Sequence, residues 1–459
     1  MNIFKNNKIM QTFIIIAMIC FSMTAVAWAE TDPAKEAGPV KEWAAVYGGK
    51  YNDGSRSINP AADGGYIIAG YSNTTENETT EVYLVKIDGE GKAVWSKNYG
   101  HGSYASGVEA IQTKDGGYIV AGYSLDSKTN EMDALIIKTD SGGNLEWNKT
   151  YGRELYDDAY SIVQMKDGRY AFTGSTDSFG NQSDVYFVVI DESGNIIMET
   201  HFGGPEWDDG NSLILTDDGG LALVGYTESY SPKGSMYLIK FDSNLTTEWS
   251  KSISADENIE AYNIIQTEDG GYLLTGSVIH ADDKFDRYVA KLDAAGETQW
   301  KRPYGSEDYS DGSSAVQLRD AGYVLVGPTG NNSTVYWSYI QRLDRNGDEK
   351  WLYTVQEGVS TAIFDIKPSN GGGYVVAGYV TGSDEGFGGR DIIVIKYMIE
   401  DTTKTTQGTE KPVGTPAAPR TSDGGEGKSG GFCSGTSLIL PLVLGSTLIA
   451  GGLLKRRHV

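Results

Sequence analysis

The stretch that decides the fold is Asp63-Gly64-Gly65-Tyr66-Ile67-Ile68-Ala69-Gly70-Tyr71-Ser72. It returns as Asp115-Gly116-Gly117-Tyr118, Asp167-Gly168-Arg169-Tyr170, Asp218-Gly219-Gly220-Leu221 and Asp269-Gly270-Gly271-Tyr272. Asp320-Ala321-Gly322-Tyr323 and Gly371-Gly372-Gly373-Tyr374 complete seven copies, whose starts lie 52, 52, 51, 51, 51 and 51 residues apart. A fixed period of this size belongs to a propeller or a solenoid. The repeat therefore replaces the two or three domains that 459 residues would otherwise suggest.

Each unit offers four strand candidates. In the first, Ser57-Ile58 begins one, and Tyr66 to Ser72 is a second whose nearly unbroken apolar run suits a strand covered on both faces. Gly70 inside it is expected to let a neighbouring sheet approach. Val82 to Asp88 is the third and Val94 to Gly100 the fourth, with Trp95, Lys97 and Tyr99 on one face. Lys97 suits an exposed edge. The turn Asp88-Gly89-Glu90-Gly91 recurs at Asp140, Asp191, Asp293 and Asp344. Its Asp folds over the turn backbone and its last Gly takes the left-handed conformation. Asp344-Arg345-Asn346-Gly347-Asp348 is such a turn and not a calcium loop, because no helices flank it and the other copies lack those ligands.

The order of strands at the two ends predicts a closed ring. Trp43 to Gly48 has no third strand before it, and Asp391 to Tyr397 has no tryptophan strand after it. Trp95, Trp147, Trp249, Trp300 and Trp351 each follow a third strand, with Met198 in the same place of the remaining unit. Pairing the N-terminal strand, residues 41–49, with the last hairpin completes a seven-bladed β-propeller of four-stranded blades over residues 41–400 and removes its open edges. An open array would want polar capping repeats at its ends, and none is visible.

The Lys86, Asp88, Gly91, Trp95 spacing resembles the tryptophan-docking motif of quinoprotein-type propellers. The Asp-Gly-Gly-Tyr run is similar to the repeats of secreted bacterial and archaeal propellers. The resemblance covers about 355 residues and implies that Trp95 and its equivalents dock one blade on the next. It implies no cofactor, since quinoprotein enzymes usually have eight blades and no quinone-binding residue or metal ligand matches here.

Outside the repeat, residues 1–29 read as a secretory signal: Lys5 and Lys8, the apolar run Phe13 to Phe21, and cleavage after Ala29 at Ala27-Trp28-Ala29. Met18-Ile19 before Cys20 is not a lipoprotein signal. Residues 401–430 are a Thr-, Gly-, Pro- and Ser-rich linker. In residues 431–459, Ser437 to Leu454 carries no charge and is followed by Lys455-Arg456-Arg457. Eighteen residues at about 1.5 Å each just cross a bilayer, with the basic end in the cytoplasm. Gly430, Gly431 and Cys433 beside this span resemble the Gly-Gly/Cys (Synergistes-type) C-terminal sorting signals of Gram-negative envelopes. That resemblance implies a sorting protease, processing near Cys433 and lipid attachment there; a plain membrane anchor is the alternative. A secreted protein on the cell envelope is the expected location, with signal peptidase as a further partner.

The chain has 62 acidic and 38 basic residues, a net charge of −24. That charge excludes nucleic acid and anionic membrane surfaces as partners, since both need a basic footprint. The two cysteines, Cys20 and Cys433, fall in the terminal segments, so the repeat has no disulfide and no thiolate metal site. No Ser/His/Asp set, phosphate loop, His-Glu-x-x-His or Cys-x-x-Cys occurs, and no metal or cofactor is expected. His280, Asp282 and Asp283 share a loop too short to hold a metal by itself.

Binding is expected on the face that carries the variable loops. There aromatic residues precede acidic ones at the blade entrances: Tyr51 and Asp53, Tyr156 with Asp157 and Asp158, Trp207 with Asp208 and Asp209, Tyr309 and Asp311, with Tyr104 and Glu260 single in their copies. Exposed aromatics beside carboxylates suit sugar recognition, and carboxylates near a channel also suit a cation. The alternative is that the aromatics wedge the blades and the acids cap turns. The expected function is a non-catalytic propeller binding a glycan or a surface protein. Its rivals are a carbohydrate hydrolase using channel-mouth carboxylates and a structural surface-layer component.

Overall fold

The computed structural model describes residues 38–398 apart from 75–78, 127, 181, 232, 283, 306–308, 331–335, 371 and 383–388. The expected signal sequence with Ala29, the linker, Gly430, Gly431, Cys433, the span 437–454 and Asp283 lie outside the described residues. The described residues form strands and turns, without a helix.

β1 (Val40–Tyr47) comes first. The first unit follows as β2 (Asp53–Pro60), β3 (Tyr66–Asn73), β4 (Thr80–Ile87) and β5 (Ala93–Tyr99). The second is β6 (Tyr104–Gln112), β7 (Tyr118–Asp126), β8 (Glu131–Thr139) and β9 (Leu145–Tyr151). The third is β10 (Ser161–Gln164), β11 (Tyr170–Thr176), β12 (Asp184–Ile190) and β13 (Ile196–Phe202). The fourth is β14 (Asp208–Leu215), β15 (Leu221–Thr227), β16 (Ser235–Phe241) and β17 (Thr247–Ile253). The fifth is β18 (Asn258–Gln266), β19 (Tyr272–Ile279), β20 (Phe285–Leu292) and β21 (Thr298–Tyr304). In the sixth, β22 (Tyr309–Ser310) and β23 (Ser314–Gln317) both pair with β24 (Tyr323–Gly330), ahead of β25 (Tyr336–Leu343) and β26 (Glu349–Val355). The seventh holds β27 (Ser360–Pro368), β28 (Tyr374–Thr381) and β29 (Asp391–Met398).

Within each unit consecutive strands pair antiparallel, and β1 supplies the fourth strand of the last sheet, with Tyr47 opposite Ile392 and Val46 opposite Ile393. Single parallel bridges, Thr80 to Tyr104 and Phe285 to Tyr309, join two pairs of neighbouring sheets. This is an all-β repeat architecture of β-propeller kind. Its cores lie between sheets: Ile67 and Leu84 pack with Val120 and Leu135 of the next unit, and Ile58 and Ile68 pack with Val375 and Val394 of the last. Ser55 Oγ donates to Gly378 O (2.8 Å), and Ile58 N donates to Asp365 Oδ2 (3.0 Å), so the last unit also bonds to the first.

Two local rules explain why these residues repeat. On the outer strands, the tryptophan lies where a Cβ on the next unit's turn glycine would go. Trp43 lies 2.8 Å from that point at Gly91, Trp95 2.9 Å at Gly143, Trp147 2.9 Å at Gly194 and Trp249 2.8 Å at Gly296, each glycine having positive φ. Tyr99, Tyr151 and Tyr304 then donate their hydroxyls to the carbonyls of Gly143, Gly194 and Gly347 at 2.6, 2.8 and 2.6 Å. Where the tryptophan is Met198, the turn glycine is Leu245, also at positive φ, and both belong to one apolar cluster. Losing the indole and gaining a leucine side chain compensate in volume.

The second rule concerns charge. Buried Lys86, Lys138, Lys240 and Lys291 pair with Asp63, Asp115, Asp218 and Asp269 of the repeat at 2.8, 2.8, 2.8 and 2.9 Å, and Arg342 pairs with Asp320. The second glycine of the motif makes room: a Cβ on Gly65 would lie 2.6 Å from Lys86 Nζ and 2.1 Å from Ile87 O. In the third unit the lysine position is Val189, the glycine is Arg169, and Arg169 bonds Asp167 at 2.7 Å. In the seventh, Lys396 turns to Glu42 of β1 at 3.1 Å, the place that Glu146 and Glu248 take beside Lys138 and Lys240.

One expectation is corrected and one is made more specific. The first strand begins at Asp53, four residues before Ser57, because a bulge at Arg56 interrupts a pairing that resumes on both sides. The Cβ position of Gly70 is filled by the carbonyl of Gly54 of the adjacent strand (1.9 Å), while the neighbouring sheet does come close at this glycine of the repeat: Ala159 N donates to Gly122 O (3.2 Å), Gly312 N to Gly276 O (3.1 Å) and Ser55 Oγ to Gly378 O (2.8 Å).

Candidate functional site

The carbonyl that fills the space beside the second-strand glycine marks one position in every unit. Its residues are Gly54, Ser106, Asp158, Asp209, Glu260, Asp311 and Ala362 in chain order. Four consecutive units therefore place a carboxylate at one register position of neighbouring first strands. The residue directly across the pair is Tyr71, Tyr123 and Tyr379 where the first is small. It is Ser175, Ser277 or Pro328 beside Asp158, Glu260 or Asp311, and Tyr226 beside Asp209.

The carboxylates are held from their own and the preceding unit. Asp158 accepts from Tyr160 Oη (2.6 Å) and Ser175 N (2.9 Å). Asp209 accepts from Ser183 Oγ (3.0 Å), and Asp311 accepts from Ser277 Oγ (2.7 Å) and from the Tyr309 hydroxyl. Glu260 Oε1 accepts from Asn211 Nδ2 (3.2 Å), and the Tyr262 hydroxyl stands beside the same carboxyl and favours its ionised form. Glu260 is 2% exposed, and burial, then the charge of Asp209, drive its carboxyl well above the usual range, with Asp311 adding to the push. Burial likewise raises Asp311, against the bonds from Tyr309 and Ser277.

The expected site residues separate into three sets. Asp158, Asp209, Glu260 and Asp311 come together as one row. Tyr104, Tyr156, Trp207 and Tyr309 stand two residues before that position: Tyr104 stacks on Tyr123 (6.1 Å), Tyr309 packs on Phe285 (5.5 Å), Tyr156 is exposed, and Trp207 is half-buried. Tyr51 and Asp53 do not join them. Asp53 is fully buried one register step away, where it accepts from Gly49 N (2.6 Å), as Asp157 does from Arg153 N and Asp208 from Gly204 N at 2.9 Å. One step along a strand turns a side chain to the opposite face, so these three brace the entering loop. Tyr51 lies in that loop under the ammonium of Lys50 (5.1 Å). The carboxylates of the row are also less exposed than a loop placement implied, because they sit inside or between strand segments.

Sequence reading missed the other half of the position. Arg390 lies over the Tyr379 ring (4.0 Å) and donates to Tyr71 Oη (2.9 Å), and Arg56 faces the Phe364 ring (5.6 Å). It also missed Glu109 and Asp365, which tie neighbouring first strands. Glu109 Oε2 accepts from Ser161 Oγ (2.8 Å) and Ile162 N (2.9 Å), and Asp365 Oδ1 accepts from Ser314 Oγ (2.8 Å). Aligning the units on Gly70 instead of on the turns would have exposed both. His280 is held by two carboxylates from outside the expected set, Glu257 (2.6 Å) and Asp286 (3.1 Å). Among the described residues no three His, Cys, Asp or Glu side chains are grouped to hold a metal ion.

No protein-family model matches the sequence, and no curated protein matches it. Solved structures similar to it include the Pan2 WD40 domain of Neurospora crassa, at 12% identity and TM-score 0.47, over 74% of this chain and 88% of that one. Another is YCF48 bound to D1 peptide, at 11% identity and TM-score 0.44, over 78% of this chain and 97% of that one. A subtype N11 neuraminidase-like protein of A/flat-faced bat/Peru/033/2010 is similar at 11% identity and TM-score 0.41, over 83% and 98%. Likeness at this level carries no functional argument.

Proposed function

We propose that this chain is a closed seven-bladed β-propeller, secreted through residues 1–29 and displayed on the cell envelope, that binds a ligand without catalysis. The pairing of β1 with β29 and the contacts of Ser55 and Ile58 with the last unit support closure. Gly430, Gly431 and Cys433 mark the processing region for a C-terminal sorting protease, and intact mass of envelope material lacking residues 437–459 is the expected readout. The observation that carries the binding reading is the row Asp158, Asp209, Glu260, Asp311. A scaffold built of identical wedges has no use for four acids followed by three small residues, and a single binding site requires such a break in the repeat. The ligand class is a glycan or a surface protein, met by the half-buried and exposed aromatics Trp207, Tyr156 and Tyr309 beside the acids. Glycan-array and envelope pull-down experiments on the purified protein test it: retention lost in Asp209→Asn supports the reading, and no retention above background overturns it. Reducing-sugar release lost in the same variant would replace binding by hydrolysis.

A further inference from the structure

We infer that the junction of the seventh and first units holds a second site, where the guanidiniums of Arg390 and Arg56 take the carboxylate of an acidic sugar, a uronate. The inference goes beyond the binding reading above, since it needs neither the acidic row nor its ligand.

The bulge in the first strand decides what each unit presents outside its own core, because an extra residue re-aims its side chain. The residue two places after the row position, Arg56 in the first unit and Phe364 in the seventh, is half-buried in all seven units, and the residue before it is buried in each. Only in the first unit is it charged. Arg56 faces the Phe364 ring (5.6 Å), Phe364 packs on Tyr379 (5.8 Å), and Arg390 lies over Tyr379 (4.0 Å). Two guanidiniums therefore meet one pair of rings. They arrive from different elements, Arg56 from the bulge of β2 and Arg390 from the residue just before β29. Arg390 donates to Tyr71 Oη (2.9 Å), the one hydrogen bond of its guanidinium among the described residues. Tyr104 completes the group, near enough to Tyr71 and Arg56 for both to act on its phenol.

Two positive charges gathered on neutral rings, in a chain of net charge −24, favour an anion. A guanidinium carries five N–H donors in a planar fork, and a carboxylate matches that fork with two parallel bonds. The rings add a second preference. Phe364 and Tyr104 are half-buried, and such aromatic faces suit the apolar face of a pyranose. An acidic peptide offers the carboxylate without that face, and a neutral sugar offers the face without the charge. A uronate has both.

The test is calorimetry on the whole protein with trigalacturonate, maltotriose and a capped Gly-Glu-Gly peptide. Expected is saturable binding of trigalacturonate that weakens with salt and falls roughly 10-fold or more in Arg390→Gln and in Arg56→Gln. Arg390→Lys keeps the charge and loses the fork, so it should recover only part of the affinity. Lys97→Gln removes the same charge from an exposed outer strand and should leave binding unchanged. Thermal melts show that the variants are folded, and Arg56→Gln decides if Arg390→Gln does not melt cooperatively. Silence of trigalacturonate, equal binding of maltotriose or the peptide, binding untouched by the arginine variants, or an equal loss in Lys97→Gln overturns the inference. If trigalacturonate is silent while a glycan is retained through Asp209, this inference falls and the binding reading stands. Uronate binding through Arg390 with nothing retained through Asp209 does the reverse.

Discussion

In the seventh, first and second units a small residue faces a tyrosine across the inner pair of strands: Ala362 and Tyr379, Gly54 and Tyr71, Ser106 and Tyr123. In the third, fifth and sixth units an acid faces a small residue: Asp158 and Ser175, Glu260 and Ser277, Asp311 and Pro328. The fourth unit carries both an acid and a ring, Asp209 and Tyr226. The backbone is the same in both arcs, with the glycine contact kept throughout. What differs is which strand fills the shared volume, and with what charge. At this position the first group gathers rings and the cations Arg56 and Arg390; the second gathers carboxylates, with buried Arg287 beside them over the Tyr339 ring (4.2 Å). A repeat can thus change the charge at one register position of its first strands from unit to unit without altering its frame.

The contrast can be broken most severely by moving the acid to the wrong arc. A Cβ on Gly54 would lie 2.8 Å from the Tyr71 ring, so Gly54→Asp is expected to cost about 2–3 kcal/mol through overpacking, read as a lower urea midpoint. Arg390→Ala removes the cation between Tyr379 and Tyr71 and should cost about 1–2 kcal/mol, with a change in tyrosine fluorescence. In the acidic arc the sign reverses. Glu260→Gln should stabilise the protein by about 1–2 kcal/mol at pH 7, since burial beside Asp209 and Asp311 penalises the ionised carboxyl and a neutral amide escapes that penalty. Its folded carboxyl titrates above the unfolded value of about 4.3. The penalty is therefore absent below that pH and grows as pH rises, so melts of the two proteins should converge near pH 4.

The smallest effect belongs outside both arcs. Despite some burial, Asp115 is drawn down to about 2 by Lys138, Thr113 and Gly117 N. Its contribution is present above the unfolded value of about 3.9 and is lost as pH falls toward 2. Asp115→Asn should cost about 1 kcal/mol or less, because the carboxylate is 56% exposed and screened.

The repeated turns and the tryptophans were legible in the sequence because each turn glycine and each motif aspartate has one local job that admits few residue types. The end-to-end pairing followed from counting strands. The site was harder to read, for a reason visible in Tyr51 and Asp53. Proximity in sequence to the blade entrance put them with Asp158 and Asp209, whereas a side chain's direction depends on register, and the bulge at Arg56 hides the register. The exceptions were opaque one at a time. Met198 makes sense only with Leu245, and Val189 only with Arg169, partners 47 and 20 positions away that touch the same cluster or serve the same aspartate.

Because β1 pairs with β29, one strand of the last sheet is made about 350 residues before its partner. At ribosomal speeds of roughly 5–20 residues per second, Val40–Tyr47 must wait some tens of seconds with its edge open. The other units can zip up as they emerge, each from contiguous chain. Pairing of β1 with β29 is thus a single late event, and a chain stalled or cut short before Asp391 would leave the edge of Val40–Tyr47 and the apolar face of Ile58 and Ile68 open to any passing strand.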